Sequence, residues 1–190
     1  MYLLSIYFDE QTEKRLQGLI HRVAEATGNA FMIENQVPPH ITIAVVETKH
    51  EEKLITRIEA LVNRGKKQID MVDSWEESIE KGDVKLVSIG TFLPQVIYVQ
   101  PVLNRYLHNL SVVLTQELGQ IEETICSPYY QPFGWLPHCT IAKQLSKEQM
   151  VQAFQVLQNC FAPMDGRVVR IGLAKTNPHR DIKVWELGGE

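Results

Sequence analysis

The pattern Pro-His-x-Thr-Ile-Ala occurs twice in this chain of 190 residues, at 39–44 and again at 137–142. Each copy is followed at the same distance by a hydroxyl residue and a lysine. The two copies stay 98 residues apart at every matched position, without a gap. A repeat held in register predicts two copies of one structural unit. We therefore expect residues 1–190 to form a single bilobal domain with motif windows at 37–52 and 135–150.

Hydrophobic periodicity predicts long helices that alternate with pairs of strands. Thr48 with Glu51, and Ser146 with Gln149, have the spacing of capping boxes at two of the helix starts. Strands are predicted at 1–8, 41–46, 68–72, 84–92, 95–100, 138–143, 167–176 and 181–187, and helices at 9–26, from 48 to Gly65, 102–118 and 146–158. Short turns make the paired strands antiparallel, so the predicted class is α+β rather than a doubly wound parallel sheet.

Composition excludes several classes of function. The net charge of −4 argues against an extended nucleic-acid footprint, which needs many cationic contacts to phosphate. Neither GxxxxGK[ST] nor GxGxxG occurs, and no histidine spacing suggests a zinc site. Three cysteines without a CxxC pair fit a reducing compartment. The apolar start ends at Asp9, too early for a signal peptide or a membrane span. We expect a cytoplasmic, soluble monomer without a membrane partner or a cofactor.

The repeated motif offers an imidazole and a hydroxyl on one face of a strand. Residues i and i+2 of a strand share a face, so His40 lies beside Thr42, and His138 beside Thr140. Across a cleft between the two units, one imidazole can take a proton while the other gives one. The hydroxyls can hold phosphate oxygens by hydrogen bonds. This set of groups suits in-line displacement at phosphorus without a metal.

Two such motifs in a chain of this length resemble the 2H phosphoesterase superfamily, and within it the bacterial 2′-5′ RNA ligase-like (LigT-like) and cyclic phosphodiesterase branch. The prolines before each histidine and the segment Ile-Gly-x-Phe-x-Pro at 89–94 add to the resemblance. It implies two lobes, each an antiparallel sheet backed by helices, with the active site in the cleft between them. It also implies His40 and His138 as acid and base, Thr42 and Thr140 as phosphate ligands, and a cyclic nucleotide or RNA terminus as substrate.

One position departs from this resemblance. Many relatives have an arginine two residues after the second Ile, where this chain has Lys143. Lysine keeps the charge without the bidentate fork, and we expect it on the surface.

A base or ribose needs a ring to stack on, and several aromatic residues precede or accompany the motifs. For each of them packing within the protein is the alternative. The candidates are Tyr7, Phe92, Tyr130, Phe133 and Trp135, with Tyr129 beside them in sequence. His179 and Arg180, at the turn of the last predicted hairpin, are further candidates for contact with a substrate.

Two other classes of function stay open. The same four residues could bind a nucleotide or an RNA end without turning it over. The histidines could also be buried residues of a duplicated scaffold, in which case replacing either one destabilises the fold. An enzyme would instead keep its stability and lose its activity.

Overall fold

The computed structural model describes residues 1–67, 79–176 and 180–189, with the side chains of 65–67 left out. Eight strands and five α-helices lie within these ranges. The strands are β1 (Tyr2–Phe8), β2 (His40–Glu47), β3 (Gly82–Phe92), β4 (Val96–Pro101), β5 (Ile125–Cys126), β6 (Cys139–Ala142), β7 (Met164–Lys175) and β8 (Arg180–Glu186). The helices are α1 (Glu10–Thr27), α2 (Phe31–Glu34), α3 (Glu51–Lys67), α4 (Arg105–Gly119) and α5 (Lys147–Cys160), with a 3₁₀ turn at Pro128–Tyr130.

All ladders between these named strands are antiparallel, which confirms the predicted α+β class. The order is β5-β2-β1-β7-β3-β4-β6, and β8 pairs with β7 as well. The first motif strand, β2, pairs with β1, which in turn pairs with β7. The second motif strand, β6, pairs with β4, which in turn pairs with β3. Apart from the two-residue strand β5, each motif thus lies on the outer strand of a three-strand group. We call β2-β1-β7 the first half of the molecule and β6-β4-β3 the second half.

The two groups join into one continuous sheet. We expected a separate sheet in each half, but the start of β3 pairs with the start of β7, from Gly82 with Val168 to Leu86 with Met164. β7 is long enough to pair with β3 at its beginning and with β1 and β8 further along. The C-terminal part of the chain thus supplies the strand that connects the halves.

The helices cover the sheet, and α1 crosses between the halves. It follows β1 of the first group, yet it packs against α5 and β6 of the second. Its start and end are those predicted, since Asp9 accepts a hydrogen bond from the Thr12 N–H at 2.7 Å and Gly28 ends the helix at φ +68°. Leu16 and Val23 on its inner face are fully buried. Helices α3 and α4 instead pack on strands β8, β2 and β3.

Several local predictions differ from the structure. The box of Ser146 and Gln149 is present, but Thr48 accepts from the His50 N–H, and the Glu51 carboxylate accepts from the Tyr2 hydroxyl. Helix α3 begins only at Glu51, so Thr48 is too far upstream to cap it, and the helix continues past Gly65. The short helix α2 and strand β5 were not predicted. The strand predicted at 68–72 lies outside the described residues.

Candidate active site

Both motif strands carry the same β-bulge. In the first, Ser5 lies opposite Thr42 and Leu4 opposite Ala44, so Ile43 is an extra residue. In the second, Tyr98 lies opposite Thr140 and Ile97 opposite Ala142, so Ile141 is extra. A bulge bends the strand and redirects its side chains, and bulges are common beside active sites. The repeat in sequence is therefore a repeat in backbone geometry directly after each threonine.

Both motif histidines are held in the same way. His40 Nδ1 lies 2.7 Å from the Pro38 carbonyl oxygen, and His138 Nδ1 lies 2.9 Å from the Leu136 carbonyl oxygen. A carbonyl oxygen only accepts hydrogen bonds, so each Nδ1 carries a proton and donates it. Nε2 is then the nitrogen that gains or loses a proton in each ring. Two imidazoles fixed in the same tautomer are suited to proton transfer at Nε2.

The structure brings the two motifs into contact. The Trp135 indole N–H, just before the second motif, donates to the Thr42 carbonyl oxygen of the first at 3.1 Å. The His40 backbone N–H donates to the thiol of Cys139, which is completely buried. Burial raises the pKa of Cys139 to about 12, so the thiol stays protonated near neutral pH. Residues distant in sequence thus join the starts of β2 and β6.

The two threonines have different surroundings. Thr42 is buried at 8% exposure, and its hydroxyl lies 3.4 Å from the Ser5 hydroxyl. Thr140 is partly buried beside Tyr98 on the neighbouring strand. Either hydroxyl can donate in this contact, so Ser5 is a hydrogen-bonding neighbour of Thr42 on the adjacent strand.

Aromatic rings enclose His138. The Phe92 ring meets the imidazole edge-on with 4.8 Å between centroids, and the Tyr98 ring lies at 5.3 Å. Burial lowers the pKa of His138, although the hydrogen bond to the Leu136 carbonyl acts in the opposite direction. Desolvation disfavours the charged imidazolium, so this histidine is biased towards its neutral form.

Tyr7 lies beside His40, with 6.1 Å between ring centroids. Burial, and then the Asp181 carboxylate, raise the pKa of the Tyr7 phenol to about 12, while the Arg170 cation lowers it. The phenol is therefore a neutral hydrogen-bond donor at physiological pH. The candidate base or ribose contact at Tyr7 thus lies against the first histidine, as Phe92 lies against the second.

Two glycines make room for the tyrosines, and sequence reasoning missed them. A Cβ on Gly172 would lie 2.7 Å from the Tyr7 ring, and one on Gly90 would lie 2.4 Å from the Tyr98 ring. No ring carbon can remain that close, so a side chain at either glycine displaces its tyrosine. A sequence signal for both exists, because Val-x-Ile-Gly occurs at 87–90 and at 169–172.

The aromatic residues upstream of the second motif are placed differently from one another. Trp135 is 5% exposed and bonded to the first motif, so little of its ring is available to a base. Tyr130 is partly buried against the core. Phe133 is 87% exposed at φ +66°, and its ring lies tilted against His108 with 4.5 Å between centroids, not against a motif histidine. A bulky residue with positive φ is unusual.

Two of the cationic residues singled out in the sequence contact other side chains of the protein. Lys143 Nζ lies over the Phe31 ring at 4.5 Å. Arg180 lies 3.8 Å from the Glu51 carboxylate. His179 lies outside the described residues.

Within the described ranges, no group of three His, Cys, Asp or Glu residues is arranged to hold a metal ion. A cavity of about 720 Å³ lies at the N-terminus of α1 and includes none of the motif residues. No helix among the described residues has the length and apolar character that crossing a membrane requires.

The sequence and the fold were compared with those of known proteins. A family model described as the 2′-5′ RNA ligase superfamily matches residues 9–180. The chain belongs to that superfamily. Membership suggests a 2H phosphoesterase activity. Among curated proteins, none matches the sequence.

Solved structures of this superfamily's fold cover the whole chain. LigT of Escherichia coli, crystallised with 3′-AMP, is 15% identical at a TM-score of 0.60, covering 99% of this chain and 98% of that one. The same protein complexed with NADP⁺ gives 15% identity and a TM-score of 0.56, with coverages of 99% and 97%. The protein TT0787 of Thermus thermophilus gives 13% identity and a TM-score of 0.61, with coverages of 100% and 98%. At these identities the likeness shows a shared fold.

Proposed function

We propose that this member of the superfamily is a metal-independent phosphodiesterase. Its substrate is a 2′,3′-cyclic phosphate or a 2′-5′ linkage in a nucleotide or an RNA end. His40 and His138 are the acid–base pair, and Thr42 and Thr140 orient the phosphate. The observation that carries the proposal is the duplicated hydrogen bond from Nδ1 to the carbonyl two residues earlier. A scaffold has no need to fix two imidazoles in one tautomer.

The chemistry is an in-line displacement by water. One imidazole Nε2 takes a proton from water as the water oxygen bonds to phosphorus. The bond from phosphorus to one ribose oxygen then breaks on the opposite side. The second imidazolium gives its proton to that oxygen, so charge and atoms balance. Threonine hydroxyls donate to the non-bridging oxygens, where negative charge develops.

We assign the base to His138 and the acid to His40. A base must be neutral before it reacts, and Phe92 and Tyr98 desolvate the His138 ring. Burial lowers the pKa of His138 accordingly. Phe92, which lies beside this histidine and is 39% exposed, also offers a base or ribose a stacking surface.

Crystal structures of LigT contain 3′-AMP and NADP⁺, which supports small nucleotides as partners of the present chain. We propose that it acts as a monomer in the reducing cytoplasm. Cys126, Cys139 and Cys160 are all free thiols.

Turnover of adenosine 2′,3′-cyclic phosphate in the presence of EDTA tests the proposal. Wild type should open the ring, and His40→Ala and His138→Ala should each lose about 10²–10⁴-fold in kcat. His21→Ala is the matched control, because this histidine is exposed on α1 and bonds to the Gln17 carbonyl within its own helix. Urea unfolding of each variant separates lost chemistry from lost stability.

Other outcomes would count against the enzyme. Wild type that binds nucleoside 2′-phosphates but turns over neither cyclic phosphates nor 2′-5′ dinucleotides would be a binding module. Histidine variants that unfold at much lower urea would favour the duplicated scaffold.

A further inference from the structure

The two halves carry different residues at matched positions on the strands beside the motif strands. Ser5 and Tyr98 are equivalent, because each lies opposite a motif threonine. Two residues further along their strands come Tyr7 and Gln100. On the next strand, Tyr7 pairs with Arg170 on β7, whereas Gln100 pairs with Ser88 on β3. The first half therefore has a cation where the second half has a small hydroxyl.

Arg170 lies in the same row of side chains as His40. Tyr7 pairs with His40 on one side and with Arg170 on the other, and directly paired residues share a face of the sheet. The Arg170 guanidinium lies 5.8 Å from the centre of the Tyr7 ring. Two strand spacings separate Arg170 from His40, which is about 10 Å. One nucleoside can bridge that distance.

The guanidinium is fixed and still accessible. Its Nη2 donates to the Glu13 carboxylate at 2.9 Å and to the Phe8 carbonyl at 3.4 Å. Among the described residues these are its hydrogen bonds, which leaves Nε and Nη1 for another acceptor. The side chain is 33% exposed and lines a cavity of about 610 Å³ together with Lys14, Gln17 and the carboxylates of Asp9, Glu10 and Glu13. Because Nη2 belongs to both bidentate edges of the guanidinium, Nε and Nη1 can each donate a single charge-assisted hydrogen bond to a phosphate oxygen.

We propose that Arg170 binds a second phosphate of the substrate, on the 5′ side of the nucleoside whose cyclic phosphate reacts at His40 and His138. The inference rests on the proposed function and extends it. The preferred substrate is then a 5′-phosphorylated nucleotide or RNA terminus rather than an unphosphorylated nucleoside cyclic phosphate. Because the second half has Ser88 at the matched position, the substrate binds in one of its two possible orientations.

Two substrates that differ by one phosphate test this subsite. Wild type should show kcat/KM about 10- to 100-fold higher for 5′-phosphoadenosine 2′,3′-cyclic phosphate than for adenosine 2′,3′-cyclic phosphate, the range expected of a charge-assisted contact. Arg170→Gln should bring this ratio close to one, mainly through KM, and Arg170→Lys should retain part of it. Arg167→Gln is the control on the same strand: the Arg167 cation lies 4.0 Å from the Asp83 carboxylate, and its loss should leave the ratio as in wild type.

Binding measurements keep this inference separate from the proposed function. Calorimetry should show that wild type binds adenosine 2′,5′-bisphosphate more tightly than adenosine 2′-phosphate, whether or not the cyclic substrates react. Glu13→Gln removes the carboxylate that competes for Arg170, so it should increase that preference even if Arg170→Gln folds poorly. Equal affinities in wild type, or a preference that survives in Arg170→Gln, would overturn the subsite. Inert cyclic substrates with an intact preference would instead overturn only the proposed turnover.

Discussion

At the scale of single residues, the environment of His138 sets the expected pH dependence. Burial lowers the pKa of His138, so the acidic limb of kcat/KM should lie below the ordinary histidine value of about 6.5. Phe92→Ala opens one side of the imidazole to water and should move this limb upward, towards about 6.5. Phe133→Ala is the control, since that ring contacts His108 instead. An unmoved acidic limb in Phe92→Ala would mean that another group controls it.

The same shift links His138 to stability. A histidine whose folded pKa is lowered binds its proton more readily in the unfolded chain. The stabilising effect of a neutral His138 is complete above a pH of about 6.5 and is lost as pH falls towards the folded pKa. His138→Gln should therefore lose less unfolding free energy than wild type between about pH 7 and pH 5. Urea unfolding at several pH values measures this difference. An equal loss of unfolding free energy in wild type and in His138→Gln would exclude His138 as the cause of the pH dependence.

The close approach of Gly90 to Tyr98 provides a test of whether Tyr98 belongs to the site. Gly90→Ala places a methyl group 2.4 Å from the Tyr98 ring, which must move away from its place beside His138. We expect a cost of about 1–3 kcal/mol and a clear loss of kcat. Gly18→Ala is the matched control: nothing lies within 4 Å of its Cβ, and alanine should stabilise α1 by up to about 1 kcal/mol. Full activity in Gly90→Ala would show that Tyr98 has no part in the site.

At the scale of secondary structure, the helices that follow the two copies of the motif differ in their N-terminal caps. Ser146→Ala removes a capping box and should cost about 1 kcal/mol in urea unfolding, with turnover retained. Thr48→Ala removes only the bond from the His50 N–H, two residues further on, and should cost less. An equal or larger loss in Thr48→Ala would mean that Thr48 stabilises the start of α3 in another way.

Local pattern was sufficient for most elements. Periodic apolar residues located α1, α4 and α5. The pattern was insufficient where a competing partner decided the outcome, as when Glu51 bonds Tyr2 rather than closing a box with Thr48. The bulges at Ile43 and Ile141 could not be predicted from local sequence either, because a bulge is defined by the pairing with the neighbouring strand.

At the scale of the whole molecule, the limit of sequence reasoning is long-range pairing. β7 contributes Arg170 and Gly172 to the first half, although it lies near the other end of the chain. No turn connects β1 with β7 or β3 with β7, so local signals could not predict either ladder. The resemblance to a family gave the acid–base pair and the phosphate ligands, which remain proposals. The proposed subsite at Arg170 was inferred from the register of β1 with β7, which the sequence does not show.

The crossing of α1 predicts that the molecule unfolds as one unit. Helix α1 follows β1 but packs against α5 and β6, and Leu16 on this helix is fully buried. The β3–β7 ladder also joins the two groups of strands. Leu16→Ala should therefore cost about 2–5 kcal/mol and lower the urea midpoint equally by circular dichroism and by tryptophan fluorescence. Val151→Ala, at an exposed position of α5, should change stability by less than about 0.5 kcal/mol. Midpoints that separate in Leu16→Ala would mean that each half unfolds by itself.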